Sequence, residues 1–281
     1  MPNFSEGRDG SVVSAICAAV GPLLLDCTSD PDHNRSVLTF AGAPQEVADA
    51  AVAVARVAVE KIDITRHAGV HPRLGAVDVI PFVPVEGVTL AECGELARQT
   101  GARLWEELGV PVYLYEAAAV RPECRRLEDV RRMAAEYAPD FGAGRHATAG
   151  ACVVGARRFL IAWNILLRTE DDAAARAIAR EIRESGGGLK GVKALGLPLP
   201  SRGQVQVSIN LVDFEATPLR VVFEAVRLAC ARRGIEIEGS ELIGMIPAAA
   251  VASSAGYDLR WLNFREELVL ENRLKSARLS E

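Results

Sequence analysis

Two of the four histidines in this chain, His67 and His71, share the segment RHAGVHPR, and Arg73 and Asp78 follow closely. A ring that titrates near neutrality, a guanidinium and a carboxylate in one short stretch can move a proton and hold an anion. Pro72 restricts the residue before it to extended geometry, which fixes the backbone of His71. His71 is therefore a candidate general base that can return the proton it takes. The alternative is a hydrogen-bonded histidine at a strand entrance. Asp78 sits inside an apolar run, where a carboxylate must be paired or hydrogen-bonded. It is either a direct participant or an acceptor of backbone amides. Arg35 and Arg73 offer the planar fork that suits carboxylate substrates. Otherwise they are ordinary surface cations, or, for Arg73, a structural partner of Asp78.

Several other chemistries are excluded by motif. The segment Gly142, Ala143, Gly144, Arg145, His146, Ala147, Thr148, Ala149, Gly150 is glycine-rich but lacks the GxxxxGK[ST] pattern of a phosphate loop. It is either a ligand loop or a linker. No HExxH or other metal-ligand spacing occurs, and no GxSxG elbow, so no metal and no serine nucleophile is expected. The six cysteines are scattered without a CxxC pair, which reads as reduced thiols. A net charge of −5 argues against a general polyanion binder but leaves room for a local basic pocket. No signal-like segment precedes PNFSEG, and no apolar run reaches the roughly 18 residues of a spanning helix. A cytoplasmic protein is expected.

The elements that must position these residues follow from periodicity. Gly75 to Val85 is a nearly continuous apolar run, which predicts a strand covered on both faces. Pro81 and Pro84 place its far end at an edge or an exit loop. Helices are predicted from about Gly10 to Val20, from Pro44 to Ile62, from Val88 to Leu108, from Glu170 to Ser185 and from Thr217 to Arg233. Strands are predicted at Leu23–Cys27, Ser36–Phe40, Val110–Tyr115, Phe159–Leu167, Val205–Leu211 and Glu241–Ile246. The charged stretch from Glu116 to Ala138 reads as partly helical and exposed. The glycines at 186–188 predict a flexible loop carrying Lys190 and Lys193.

Two stretches share an order of elements. SVLTFAGAPQEVADAAVAVARVAVEKI with VDVIPFVP, and VSINLVDFEATPLRVVFEAVRLACARRGI with ELIGMIP, each run strand, helix, strand. This order predicts an α/β (α+β) protein of two ferredoxin-like subdomains, 1–157 and 158–281, with a ligand cleft between them.

PNFSEG, the NR of SDPDHNRSV, RHAGVHPRLGAVDVIPFVPV, EELGVPVYLY, APDFG, GARRFLIAWNI, LKGVKALG and QVSINLVDFEATPL together resemble the formiminotransferase domain family, from Pro2 to ENRL near the C-terminus. The resemblance implies transfer of a formimino group from N-formimino-L-glutamate to tetrahydrofolate, the co-substrate, giving 5-formimino-tetrahydrofolate and glutamate in histidine degradation. It implies folate in a cleft or tunnel, a homodimer, and a separate cyclodeaminase downstream. It also implies His71 as catalytic base and residues 142–150 as the folate loop that follows the DF dipeptide. That loop is shorter here than in the family and differs in sequence. Thr28 stands where some members carry an Asp. Asn34, Arg35, Arg73 and Asp78 are expected at the substrate, and Arg35, Arg73, Arg145, Lys190 and Lys193, in that order, are candidate partners for its carboxylates. The glycines of the folate loop predict mobility without ligand. Formyl transfer from N-formyl-glutamate, and folate binding without turnover, are the alternatives.

Overall fold

A computed structural model describes residues 1–278 and divides the chain into two units, Met1–Arg158 and Phe159–Glu281. The first unit contains β1 (Asn3–Phe4), α1 (Gly10–Val20), β2 (Leu24–Asp30), β3 (Arg35–Phe40), α2 (Pro44–Lys61), β4 (Val77–Phe82), α3 (Leu90–Leu108), β5 (Val112–Glu116), α4 (Leu127–Met133) and β6 (Cys152–Ala156). Its six strands lie in the order β2-β3-β1-β4-β6-β5. The first four are antiparallel; β4, β6 and β5 are parallel neighbours. The second unit contains β7 (Ile161–Leu167), α5 (Asp172–Ile182), β8 (Val192–Leu199), β9 (Gln204–Leu211), α6 (Leu219–Ala231), β10 (Ile237–Ile243), α7 (Ala248–Ala252) and α8 (Leu270–Arg278). Its antiparallel sheet runs β10-β7-β9-β8.

Numbered within each unit, β1-α1-β2-β3-α2-β4 and β7-α5-β8-β9-α6-β10 have one connectivity, βαββαβ, with the fourth strand beside the first and the third beside it on the other side. Both units are therefore ferredoxin-like, and α3, β5 and β6 extend the first. The two look-alike stretches of sequence are the third strand, second helix and fourth strand of each unit.

Local chemistry sets the element ends. The Thr89 hydroxyl accepts from Glu92 N–H, and the Glu92 carboxylate accepts from Thr89 N–H at 2.7 Å. This reciprocal cap starts α3 and is typically worth about 1 kcal/mol. At α2, Pro44 occupies the first turn and the Glu46 carboxylate accepts from Ala43 N–H at 2.8 Å. Each unit has its own core. Leu38, Val54, Ile80, Leu104 and Val154 are buried in the first; Trp163, Ile178, Val207 and Phe223 are buried in the second, with the Trp163 and Phe223 rings stacked at 6.0 Å.

Several expectations change. All six residues of β4 are buried, yet Pro81 lies within the strand and not past its end. It is tolerated because β1 pairs no further than Val79, and the Met1 amine donates to the Pro81 carbonyl at 3.2 Å. Lys193 belongs to β8, not to a loop. GVKALGLPL does not read as a strand because it has one β-branched residue and carries Gly196 and Pro198, which an edge strand accepts. CVVGA forms β6, central between β4 and β5, and is too short to stand out by periodicity. β10 begins at Ile237, earlier than its polar stretch Glu238–Glu241 suggested. The six cysteines are free thiols, four of them buried. Among the described residues no helix is long and apolar enough to cross a membrane.

Candidate active site at the entrance to β4

The segment before β4 meets the hairpin turn between β2 and β3 and the far end of the glycine-rich loop. Asn34 turns that hairpin with φ 46°. Its side-chain oxygen accepts from Gly7 N–H at 2.9 Å, and its amide donates to the Ala68 carbonyl at 3.1 Å. Asn34 thus ties the turn to Gly7 and Ala68 through both ends of its amide.

Arg73 is likewise occupied. Its Nη2 donates to the His71 carbonyl at 2.7 Å and the His33 carbonyl at 3.1 Å, and its Nε donates to His71 as well. Nη1 faces the Asn34 carbonyl at 3.4 Å and the His67 ring. Arg73 Nη1 lies against both ring nitrogens of His67, 2.5 Å from Nδ1 and 2.6 Å from Nε2, and Nε2 is also 3.0 Å from the Asn34 carbonyl. Removal from water and the charge of Arg73 lower the His67 pKa and keep the ring neutral. Arg73 therefore fastens the 67–73 segment to the 33–34 turn, and the ion pairs of Asp78 are made by Arg35 and Arg131 instead. Gly69 permits this, since a Cβ there would lie 2.4 Å from the His33 carbonyl and 2.7 Å from Arg73 Nη2.

Asp78, with no solvent exposure, accepts from Leu74 N–H at 2.7 Å through Oδ1. Its Oδ2 accepts from Arg35 Nη1 at 2.7 Å and from Arg131 Nη2 at 2.5 Å. Burial opposes its ionisation, but the two arginines outweigh that and hold its pKa at about 2. Buried in this way, Asp78 anchors the two arginines and the Leu74 N–H, the paired state that a carboxylate in an apolar run requires. Arg131, on α4, comes from the stretch read as exposed. It had no signal of its own, being one arginine among several in RRLEDVRR.

His71 stands beside this cluster, partly open to solvent. Its Nδ1 lies 2.8 Å from the Pro72 carbonyl; the carbonyl can only accept, so Nδ1 carries the proton and Nε2 keeps its lone pair. Removal from water, then the charges of Arg35 and Arg131, push its pKa well below the ordinary imidazole value, with Asp78 opposing. These influences favour the neutral ring, which differs from the near-neutral titration expected of an isolated imidazole. The His33 ring lies 5.6 Å from it, centroid to centroid. Sequence reasoning passed over His33 because SDPDHNR reads as turn formers. Thr28, on β2, donates to Asp26 at 3.0 Å.

The glycine-rich loop divides in two. Ala143, Gly144 and Arg145 are exposed. From His146 onward the chain is tied down, with His146 and Gly150 exchanging backbone hydrogen bonds of 2.8 and 3.0 Å. The His146 Nδ1 accepts from Thr148 and Ala149 N–H; Thr148 and Ala149 accept from Ile64 and Ala76. Ala147 is exposed at the tip. Gly75 and Gly150 allow the approach: a Cβ on Gly75 would lie 2.3 Å from the Ala151 carbonyl, and Gly150 has φ +70° with the Leu74 carbonyl 2.4 Å from its missing Cβ. Uniform mobility of this loop is therefore not what its hydrogen bonds support. Among the described residues no group of three His, Cys, Asp or Glu is placed to hold a metal ion. Lys190 is exposed and Lys193 half-buried, both in the second unit.

Each unit is a ferredoxin-like α/β fold, and the first carries an imidazole beside two arginines that share one buried carboxylate. Residues 1–157 match the model of the formiminotransferase domain, N-terminal subdomain, and residues 162–276 match that of the formiminotransferase domain. The chain belongs to the formiminotransferase domain family. It is 42% identical to a glutamate formimidoyltransferase of Streptococcus pyogenes over 98% of this chain and 97% of that protein. A glutamate formimidoyltransferase of Thermoplasma acidophilum is 41% identical over 99% of this chain and 97% of that protein. A formimidoyltransferase-cyclodeaminase of Sus scrofa is 44% identical over 92% of this chain, which spans 51% of that longer protein.

Proposed function

We propose that the chain transfers the formimino group of N-formimino-L-glutamate to N5 of tetrahydrofolate, with His71 as the proton carrier. The observation that carries this reading is near-full-length similarity to two proteins named glutamate formimidoyltransferase. The free Nε2 lone pair of His71 gives it a chemical basis.

The N5 lone pair attacks the formimino carbon, forming the new C–N bond, while His71 Nε2 takes the proton from N5. The tetrahedral intermediate then breaks its bond to the glutamate nitrogen, and His71 returns the proton to that nitrogen. The products are 5-formimino-tetrahydrofolate and glutamate, with no oxidant, metal or covalent enzyme adduct in the balance. Much of the rate comes from holding the two substrates together. Arg35 is the proposed carboxylate partner beside His71, and the exposed face from Ala143 to Arg145 is the proposed folate contact. A homodimer is part of the same proposal; light scattering of the purified protein checks it.

Purified protein is given tetrahydrofolate with N-formimino-glutamate or with N-formyl-glutamate, and free glutamate is followed. Glutamate release from the formimino donor, dependent on tetrahydrofolate, is the expected result. Release from the formyl donor alone replaces the substrate assignment, and release from neither, with folate still bound, leaves a binding module.

A further inference from the structure

We propose that Arg131 and Arg35 together cradle the α-carboxylate of the amino-acid donor, and that Asp78 is the positioning residue holding both guanidinium groups. The proposal rests on formimino transfer at His71 as described above.

Two guanidinium groups meet one carboxylate here. Arg35 and Arg131 both donate to Asp78 Oδ2, and the other oxygen is taken by Leu74 N–H. One carboxylate compensates one of the two cations. The second positive charge is left over where the Arg35 side chain is only 9% exposed and that of Arg131 19%. A buried charge is unfavourable until something of opposite sign supplies compensation. The other groups around His71 do not supply it. His33 and His67 have lowered pKa values; the Asp30 carboxylate faces His33, 3.9 Å from its Nδ1, and among the described residues the carboxylate paired with Arg35 and Arg131 is that of Asp78. Arg73 adds positive charge, not negative. Moreover, the Arg131 Nε is buried with no partner, and a donor in that state calls for an acceptor. An anion with two oxygens answers both needs, since a carboxylate meets paired N–H groups in bidentate fashion.

Chemistry distinguishes the two possible sources of that carboxylate. The donor carries its formimino group on the nitrogen of the α-carbon, so its α-carboxylate lies a few bonds from the reacting carbon. The glutamyl carboxylates of folate lie at the opposite end of that molecule from N5. A cationic cluster beside the proton carrier therefore meets the donor's α-carboxylate. Binding there has a second effect. Arg35 and Arg131 disfavour the protonated form of His71, and an anion set between them offsets that influence. The imidazole becomes a stronger base when the donor is in place.

The test uses Arg131→Met and Arg131→Lys in the full chain. Arg131 lies on a short helix with part of its side chain in solvent, so folding is checked first by thermal melts. For Arg131→Met, KM for the formimino donor is expected to rise roughly ten- to a hundredfold, the loss of a charge-assisted hydrogen bond. KM for tetrahydrofolate stays within about twofold, on the placement of its carboxylates away from N5. The NMR titration of the His71 imidazole moves to higher pH in Arg131→Met, because a cation has been removed, and stays low in Arg131→Lys. In wild type, saturating L-glutamate moves the same titration upward, and that response is lost in Arg131→Met. An unchanged His71 titration together with an unchanged donor KM overturns the cradle. A rise in the folate KM alone reassigns it to the folate tail and overturns the proposal as stated. Should wild type release no glutamate from any donor, formimino transfer fails on its own. The L-glutamate titration then still scores the cradle, positively if Arg131→Met abolishes the response and negatively if it does not.

Discussion

A proton carrier works best when its resting state is the one the first step needs. His71 is held neutral by removal from water and by two nearby arginines, while the Pro72 carbonyl fixes the tautomer that leaves Nε2 free. His71→Ala is therefore expected to lower kcat by roughly a hundredfold or more, the usual worth of a positioned general base, with tetrahydrofolate affinity nearly unchanged. Near-normal turnover at saturating substrates would remove His71 from the mechanism. The wild-type kcat/KM profile should stay flat as pH falls past the ordinary imidazole value of about 6.5 and decline only well below it. Asp78 makes a different kind of contribution. Its folded pKa of about 2 lies below the unfolded value of 3.8, so its stabilisation is complete above about pH 4 and is lost as pH falls towards 2. That window corresponds to about 2 kcal/mol. Asp78→Asn leaves two arginines without their anion and should cost about 3–5 kcal/mol in urea unfolding at pH 7. A cost below about 1 kcal/mol would mean that the arginines find other partners.

At the scale of elements, the site is assembled by fastening loops together. Arg73 joins the carbonyls of His33, Asn34 and His71. Arg73→Ala should thus destabilise the protein by about 2–3 kcal/mol, since several charge-assisted hydrogen bonds go at once. It should lower kcat by displacing His71 without altering the salt dependence of kcat/KM. A raised donor KM with normal stability would instead return Arg73 to substrate binding. The glycine-rich loop should exchange its amide hydrogens in two classes, fast at Ala143–Arg145 and slow at His146 and Gly150, where both N–H groups are bonded. Saturating folate should slow the fast class; no change there would take the loop out of the folate site. This division was not legible in the sequence, where glycines announce permitted conformations but not who approaches them. The helices and the β4 core were legible because their apolar residues keep a period and their ends carry caps. Arg131 was not, because a long-range ion pair to Asp78 leaves no spacing to read. For the same reason the contacts of Arg73 were not legible: its type was visible in HPR, whereas the His33 and Asn34 carbonyls that it reaches come from another turn. The resemblance to a family pointed to the histidine, whereas its neighbours His33, Arg35 and Arg131 come from distant stretches of the chain.

The molecule as a whole is acidic, with 37 Asp and Glu against 32 Lys and Arg, yet both proposed substrates are anions. Capture must then depend on a local field opposed to the global one. Arg35 and Arg131 share one buried carboxylate, so the neighbourhood of His71 keeps an excess positive charge despite the net −5 of the chain. Ions in solution screen the approach of a charged ligand over about 10 Å at 0.1 M salt, and much less the contacts already made in a partly buried site. Raising ionic strength should therefore lower kcat/KM for the donor while kcat changes little. Arg131→Met should flatten that slope, because the excess charge that attracts the ligand is gone. Lys190→Ala, an exposed lysine of the second unit, should leave it nearly as steep as in wild type. Measuring donor kcat/KM for the three proteins between low and physiological salt decides the point. A slope of zero or of positive sign in wild type would show that the repulsion of the acidic surface prevails over the arginines, and that they act on the donor only after it has arrived.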